Sequence, residues 1–481
     1  MLIAALFAPL GCDDHRTAGQ PDKPFDGRAL TLSCPDAAMA DAVTPMVRAW
    51  EARTGATVTV HRGPMNPSDA ADVGIIPSGE LGAWAEPGHL SAVPAKLRSD
   101  AAFQWTGLLP AYGERLVEWG GQTLAVPLTG DGYVLVYRAD RFAEKSAADA
   151  FFARHTRPLA APSTWEEFAD VAALFAGLDK RPSLPPLPSD PERLFDLLSR
   201  VAASFDRSAL NDFQLAAQTA KDREALAFQF AVTTGKPRLQ SSGYVNAADW
   251  LARLRATNVL PAPGGADDPA AALSEGRAVM ALVSLDQLAR LPREGGAVPA
   301  RFALAGVPGT RQVRGAGPSP ADGPPNFVPY FSGGRLGVVR TRCPHQEAAF
   351  DLLADLGSPA RGAELIATPG LGAGPTRVAH VDRERLLLWL GYGFDEERSK
   401  MLQDTMRHYA EQAVKNPTFG LRGPDRAELI RAADPPLRAL GTDKTPAVDR
   451  LKQIEAAWQV LDAKVSPETL LRWRQRAAGL N

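Results

Sequence analysis

The sequence predicts an α/β fold, because short apolar strands alternate with amphipathic helices early in the chain. Leu30 to Cys34 is a strand pattern, Met39 to Arg53 carries apolar residues at helical spacing, and Thr57 to His61 is a second strand. A strand, a helix and a strand within about thirty residues form a βαβ unit with parallel strands. Composition agrees, since 481 residues with 45% hydrophobic and 22% charged residues are typical of a soluble globular chain of about two or three domains.

Later elements continue the alternation and then become mainly helical. Ala71 to Ile76 predicts another buried strand, and Leu124 to Pro127 leads to a strand at Tyr133 to Tyr137. Thr164 is expected to cap a helix, with Glu167 at the reciprocal position of a capping box. The remaining predicted elements are helices at Pro191 to Phe205, Asp222 to Val232, Asn246 to Ala256, His345 to Leu356 and Asp382 to Val414, with a Gly/Pro-rich loop at Gly306 to Gly334.

Charge and motifs exclude several classes of function. A net charge of -2 lacks the excess of basic residues that nucleic-acid-binding proteins carry. The chain has no zinc-binding His-Glu-x-x-His or Cys-x-x-Cys motif, no Walker loop and no Gly-x-Ser-x-Gly elbow, so we expect no metal, no cofactor and no catalysis. The sequence leaves open whether Cys34 and Cys343 form a disulfide.

The N-terminus indicates export and lipid anchoring. Leu2 to Leu10 is an apolar run of about the length of a signal-peptide core, and it is too short to span a bilayer. Gly11 and Cys12 end the run and resemble the lipobox of bacterial lipoproteins, in which the cysteine is acylated. Thr17 to Gly27 then has the composition of a tether. The alternative is a disordered or mis-started N-terminus with an incidental cysteine.

Six segments, in order along the chain, resemble the extracellular solute-binding proteins of ABC importers, specifically the sugar-binding group that includes the maltose-binding protein. Together they cover roughly residues 30 to 460. The segments are Leu30 to Val60, Ala71-Asp-Val-Gly-Ile-Ile to Gly88-His-Leu, Ala125 to Phe168, Glu275-Gly-Arg-Ala-Val-Met280, Gly333 to Leu353, and Thr445-Pro-Ala-Val-Asp-Arg-Leu451 with Trp458.

The resemblance implies a two-lobed periplasmic-binding-protein fold of type II, with a ligand cleft between lobes joined by hinge crossings. It implies a monomer that captures a small solute, expected to be a sugar, and delivers it to the transmembrane permease subunits of an ABC importer. It places the chain on the extracytoplasmic face of the membrane, attached through the lipid anchor only. The expected divisions are a signal peptide at 1–12, a tether at 13–27, a first lobe at 28–127 plus 335–380, a second lobe at 134–327 plus 381–465, and crossings at 128–133 and 328–334.

Sugar sites need polar groups for hydroxyls and aromatic rings for C–H faces. Asp131, at the first crossing, falls where the maltose-binding relatives carry a ligand carboxylate, although an ordinary Asp-Gly turn is the alternative. Most other candidates follow strands or lie at the second crossing, where solvated loop groups or core packing would also explain them. Ser284 stands near the position of a stacking Trp in the family, and Tyr244 is a possible stacking platform for a sugar ring. The full expected set is Asp36, Ser78, Glu80, Asp131, Tyr244, Ser284, Tyr330, Phe331 and Ser332.

The sequence does not identify the ligand. The match places Ile76 and Gly79 where the maltose-binding relatives have a Trp and an Asp, so maltodextrin itself is doubtful. The alternatives are the same fold with a non-sugar solute, such as a polyamine or an iron complex, a ligand sensor and, more remotely, a lipoprotein glycoside hydrolase.

Overall fold

Two separate β-sheets organise the chain. The computed structural model describes residues 23–207, 228–262, 268–313, 323–415 and 417–480. The strands of the first, five-stranded sheet are Ala29–Cys34 (β1), Thr57–Arg62 (β2), Val73–Pro77 (β3), Val126–Thr129 (β6) and Arg335–Val339 (β11). The strands of the second, three-stranded sheet are Tyr133–Arg138 (β7), Met280–Ser284 (β8) and Phe302–Ala305 (β9). Two-residue strands form two small ribbons, with Glu118–Trp119 (β4) pairing with Gln122–Thr123 (β5) and Tyr330–Phe331 (β10) with Thr418–Phe419 (β12).

The first sheet has the strand order β2-β1-β3-β11-β6. Strands β1, β2 and β3 are parallel, as the βαβ pattern predicts, whereas β11 runs antiparallel to both β3 and β6. Because β11 comes from far along the chain yet lies inside this sheet, two distant chain segments build the lobe around it. We call this sheet with its covering helices the first lobe.

Helix α1 (Ala37–Thr54) shows how local sequence fixes an element of this lobe. Asp36 precedes it in extended conformation and accepts a hydrogen bond from the Met39 N–H, which satisfies a free donor of the first turn. Gly55 ends it with a φ of 80°, a conformation that glycine adopts without a steric penalty. Between these ends, the helix buries Met39, Val43, Met46, Val47 and Trp50 against the sheet.

The second sheet has the order β8-β7-β9 with antiparallel pairing. We call this sheet, with the helices packed around it, the second lobe. The remaining α-helices of the described residues are Leu81–Ala85 (α2), Ala95–Arg98 (α3), Ala139–Phe142 (α4), Lys145–His155 (α5), Trp165–Asp179 (α6), Pro191–Asp206 (α7), Ser242–Ala256 (α8), Pro269–Ser274 (α9), Leu285–Leu288 (α10), Gln346–Leu356 (α11), Pro359–Ala367 (α12), Leu387–Leu390 (α13), Glu396–Lys415 (α14), Arg426–Arg438 (α15), Ala447–Asp462 (α16) and Pro467–Ala477 (α17).

The cap predicted before α6 differs in one detail from the expected pattern. Thr164 accepts a hydrogen bond from the Glu167 N–H at 3.1 Å, as predicted. The Glu167 carboxylate, however, accepts from the Ser163 N–H at 2.8 Å and from the Ser163 hydroxyl at 2.9 Å instead of from Thr164. The reciprocal contact therefore lies one residue earlier than the sequence pattern indicates.

Two helix predictions are corrected. The stretch predicted as one helix from Asp382 to Val414 is broken into a short 3-10 segment, α13 and α14, because the turn at Gly391 and Gly393 interrupts it and Gly393 has a φ of 86°. The predicted helix Asp222 to Val232 lies mostly outside the described residues, and its described end, 228–232, is not helical.

Other features bear on the class of protein. Cys34 and Cys343 are both free and buried in the core beneath the first sheet, so they do not pair. Across the described residues, no helix is both long and apolar enough to cross a membrane. Within the same residues, no group of three or more His, Cys, Asp or Glu side chains could hold a metal ion.

Candidate ligand-binding cleft

A small cavity lies between the two lobes, where the carboxyl end of β3 faces α7 and α15. Its empty space, including the part open to solvent, is about 280 Å³. The first lobe contributes Ser78 and Gly79, which directly follow β3. The residues that line it are Ser78, Gly79, Leu116, Phe195, Asp196, Phe331, Ser332, Gly420, Leu421, Arg422, Arg426 and Ile430.

Two crossings connect the lobes beside this cavity, and Asp131 joins them. The chain leaves β6 and enters β7 through 130–132, and it returns from β10 to β11 through 332–334. Asp131 is 9% exposed, and its carboxylate accepts hydrogen bonds from the backbone N–H groups of Gly132, Ser332 and Gly333, at 2.7, 3.1 and 2.9 Å. In this structure the carboxylate therefore acts as a strut between the two crossings.

A third stretch of backbone lies against the first crossing. The Gly130 N–H donates to the Gly374 carbonyl at 2.9 Å, and the Gly374 N–H donates back at 3.1 Å. A Cβ atom at Gly130 would lie 2.1 Å from the carbonyl oxygen of Pro375, which no real contact allows. Glycine is thus required where these two backbones meet.

Behind the crossings, the buried Arg200 of α7 holds several groups together. Its guanidinium donates to the Tyr330 carbonyl at 2.8 Å and to the Tyr409 hydroxyl at 3.0 Å. It also lies 3.5 Å from the centre of the Tyr133 ring and 3.9 Å from the Asp131 carboxylate. The positive charge is therefore compensated by a carboxylate, a carbonyl and aromatic faces.

One carboxyl group that lines the cavity, and one that lies beside it, have raised pKa values. Burial raises the pKa of Asp196 to about 6, although hydrogen bonds from Tyr330 and Ser332 and the charge of Arg200 oppose the rise. The Tyr330 hydroxyl donates to Asp196 at 2.7 Å. Asp196 can accept hydrogen bonds from a ligand and, when protonated, can also donate one. Burial likewise raises the pKa of Glu80, against the opposing charge of Arg426, but this predicted site residue does not line the cavity.

Arg426 on α15 reaches across the cavity toward the first lobe. A Cβ atom at Gly79 would lie only 2.8 Å from its Nε, so the guanidinium rests on the backbone that follows β3. It forms an ion pair with Glu192 of α7, and burial lowers its pKa against the opposing charges of Glu80 and Asp190. This side chain therefore contacts both walls of the cleft.

The structure brings some of the predicted site residues together at this cavity. Ser78, Phe331 and Ser332 line it. The Ser78 hydroxyl donates to the Gly333 carbonyl at 2.7 Å. Tyr330 does not line the cavity, but its hydroxyl donates a hydrogen bond to Asp196, which does.

The other candidates lie elsewhere or have different partners. Asp36 caps α1 and pairs with Arg335, and Ser284 caps α10 in a capping box with Gln287. Tyr244 is fully buried in the core of the second lobe, where its hydroxyl lies 3.0 Å from that of Ser199. A sugar can stack on the Tyr244 ring only if this core opens. Cys12 lies outside the described residues.

Sequence reasoning missed Asp196 and Arg426, which come from helices and not from the ends of strands. A signal for Asp196 was present, because α7 is strongly amphipathic and Asp196 and Arg200 lie among its buried residues. Polar side chains on an apolar helix face are informative because burying them requires partners. Arg426 begins α15 and has no comparable signal.

Comparison with known proteins agrees with this architecture. The profile of a bacterial extracellular solute-binding protein family matches residues 56–383, about two thirds of the chain. The chain belongs to this family. No curated protein sequence matches it.

Several solved structures of solute-binding proteins share the fold at low sequence identity. Maltose-bound MalE3 of T. maritima is 16% identical with a TM-score of 0.63, over 90% of this chain and 99% of that chain. An ABC transporter solute-binding protein of Agrobacterium radiobacter in complex with ribitol is 17% identical with a TM-score of 0.62, over 91% of this chain and 100% of that chain. The GacH receptor of Streptomyces glaucescens, solved unliganded and with acarbose, is 14% identical with a TM-score of 0.61, over 91% of this chain and 99% of that chain. The predicted fold class, two lobes with a cleft between them, is thus confirmed.

Proposed function

We propose that this solute-binding protein captures a sugar or a related polyol in the cleft between its lobes and delivers it to the permease of an ABC importer. The observation that carries the proposal is the cavity where Ser78 of the first lobe faces Asp196 and Arg426 of the second. Hydroxyl, carboxyl and guanidinium groups there match the alternating donors and acceptors of a polyol, and Phe195 and Phe331 offer apolar surface for C–H groups. Maltose and ribitol in similarly folded proteins support the same class.

Lobe closure would be the signal that the permease reads. A ligand favours the closed arrangement only through contacts with both lobes, and this cavity offers side chains from both. We propose the division expected from the sequence, with 28–127 plus 335–380 in the first lobe and 134–327 plus 381–465 in the second. The protein acts as a monomer and does no chemistry on the solute.

Calorimetry of the purified chain with maltose, ribitol, mannitol, spermidine and a ferric citrate complex tests the ligand class. We expect a sugar or polyol to bind in a one-to-one ratio. Ser78→Ala and Ser332→Ala should each weaken binding by about tenfold, which corresponds to about 1.4 kcal/mol for a lost hydrogen bond to the ligand. The matched control is Ser99→Ala, since Ser99 is exposed and its hydroxyl bonds only within its own helical turn.

Two results would contradict the ligand class or its site. Binding of spermidine or ferric citrate without any response to sugars or polyols would show a different substrate. A sugar affinity that both cleft variants leave unchanged would place the ligand elsewhere.

We further propose that Cys12 carries the lipid anchor on the extracytoplasmic face of the membrane. Cys12→Ala should move the protein from the membrane fraction to the soluble fraction of cells that express it. Equal membrane association of the variant and the natural protein would show that Cys12 is not the anchor.

A further inference from the structure

A second and larger cavity lies inside the second lobe, and helix α7 lies between it and the cleft. It encloses about 870 Å³ of empty space, including the part open to solvent, between α6, α7, α8 and strand β8. It shares no lining residue with the cleft cavity. Its lining residues are Tyr133, Trp165, Phe168, Leu184, Pro185, Pro186, Leu187, Pro188, Arg193, Leu197, Arg200, Trp250, Leu254, Leu260, Pro269, Ala281, Leu282 and Gln287.

Helix α7 separates the two cavities. Arg193, Leu197 and Arg200 recur at helical spacing and face the larger cavity, whereas Phe195 and Asp196 face the cleft. Phe195 lies on the opposite side of the helix, but Asp196 is three residues from Arg193 and four from Arg200 and therefore neighbours both. The two cavities thus adjoin along α7, and substitutions outside this helix are the ones that alter the larger cavity alone.

The wall of the larger cavity is mainly apolar and partly aromatic. Trp165 and Trp250 meet edge to face with ring centres 5.3 Å apart, and Phe168 packs 5.7 Å from Trp250. The proline-rich segment 184–188 covers one side, and Leu187 and Pro188 in it are only half-buried. Such a wall binds hydrocarbon chains or rings through burial of apolar area.

The polar groups of the wall are mostly donors. Trp165 is 1% exposed, and its indole N–H has no hydrogen-bond partner among the described residues. Among the described residues, Arg193 donates to Asp286 at 3.4 Å and lies 3.9 Å from Asp190, so most of its five N–H donors remain for another acceptor. The one amide in the wall, Gln287, already uses its carbonyl oxygen to accept from Ser284.

From this arrangement we propose that the larger cavity is a binding site for a small apolar carboxylate, such as an alkyl or aryl carboxylic acid. The hydrocarbon part lies against the aromatic wall, and the carboxylate accepts hydrogen bonds from the Trp165 indole and the Arg193 guanidinium. Arg200 also lines the cavity and connects it to the hinge through its bond to the Tyr330 carbonyl. This site is separate from the solute cleft.

Calorimetry of the purified full chain with octanoate tests the proposal, with octan-1-ol and octylammonium as probes of the same chain length. We expect octanoate to bind at one site and both other probes to bind at least about tenfold more weakly, because neither carries an acceptor charge for Arg193. Trp165→Phe keeps an aromatic ring but removes the N–H, and Arg193→Gln removes the charge. Each should weaken octanoate binding by about tenfold.

Leu187→Trp, at the half-buried rim, should block the site without touching its donors. Trp105→Phe in the first lobe and Arg431→Gln, at an exposed position of α15, are the matched controls, and both should bind octanoate normally. A maltose or ribitol titration of Trp165→Phe and Leu187→Trp separates this site from the cleft, because neither residue lines the cleft or lies on α7 and neither change should alter that affinity.

Several outcomes would overturn the proposal. Equal affinity for octylammonium or octan-1-ol would show that the donors do not select a carboxylate. Octanoate affinity unchanged by both Arg193→Gln and Leu187→Trp would place the binding elsewhere, even if Trp165→Phe fails to fold. Binding at several equivalent sites, or no binding at millimolar octanoate, would also refute the proposed site.

Discussion

The substitution Asp131→Asn tests whether the Asp131 carboxylate holds the two crossings together or binds the ligand. One carboxylate oxygen accepts from the Gly132 N–H and the other from the N–H groups of Ser332 and Gly333. Asparagine has a single acceptor oxygen, so either one or two of these amides must face an NH₂ donor instead. A buried donor left without an acceptor costs about 1–3 kcal/mol, so we expect the variant to lose about 2–4 kcal/mol of unfolding free energy.

Equilibrium urea unfolding, followed by far-UV circular dichroism without ligand, measures this loss. The matched control is Asp41→Asn, because Asp41 pairs with Arg62 at the surface with both side chains more than half exposed. Such a pair contributes about 0–1 kcal/mol, so the control should unfold near the natural midpoint. If Asp131→Asn were as stable as the control but bound sugar much more weakly, Asp131 would be a ligand group and our description of a strut would be wrong.

Two further substitutions test the buried polar groups around the cleft. Burial raises the pKa of Asp196 from 3.8 to about 6, so its carboxyl group holds a proton more tightly in the folded state than in the unfolded state. The contribution of this group to the unfolding free energy therefore falls as the pH rises through that range, by about 3 kcal/mol at most. Asparagine does not titrate, so the urea midpoint of Asp196→Asn should rise relative to that of the natural protein between pH 4 and 7. A difference between the two midpoints that does not change with pH would contradict the raised pKa. Tyr244→Phe removes the core hydrogen bond to Ser199 and should cost about 1 kcal/mol in unfolding free energy while sugar affinity measured by calorimetry stays unchanged. A large loss of affinity in Tyr244→Phe would instead show that the Tyr244 hydroxyl contacts the ligand.

The first part of the fold was predictable because its signals are local. The spacing of Met39, Val43 and Trp50, with Gly55 after them, defines α1 without reference to the rest of the chain. The resemblance to the family assigned 335–380 to the first lobe, but the position of β11 between β3 and β6 was not predicted, since no local pattern states which strand a segment joins. The long helix predicted from Asp382 was wrong because two glycines allowed a turn inside an otherwise helical pattern.

The cleft was predictable only in part, for a physical reason. Ser78 and Ser332 follow or adjoin strands, and residues at strand ends are expected to meet at one edge of a sheet. Asp196 and Arg426 reach the same cavity from helices whose packing angles depend on the whole lobe. Tyr330 illustrates the opposite error, because its position at a crossing suggested exposure whereas its ring is fully buried.

Two lengths of backbone, 130–132 and 332–334, cross between the lobes, and the stretch at Gly374 lies against the first of them. A single covalent link would let one lobe rotate freely about the other. Because Asp131 ties the two crossings together and Gly374 pairs with Gly130, twisting about one crossing would strain the other. Bending about an axis through both crossings strains them least, so we expect the lobes to move mainly by opening and closing. A solute would then meet the same pair of walls each time the protein closes.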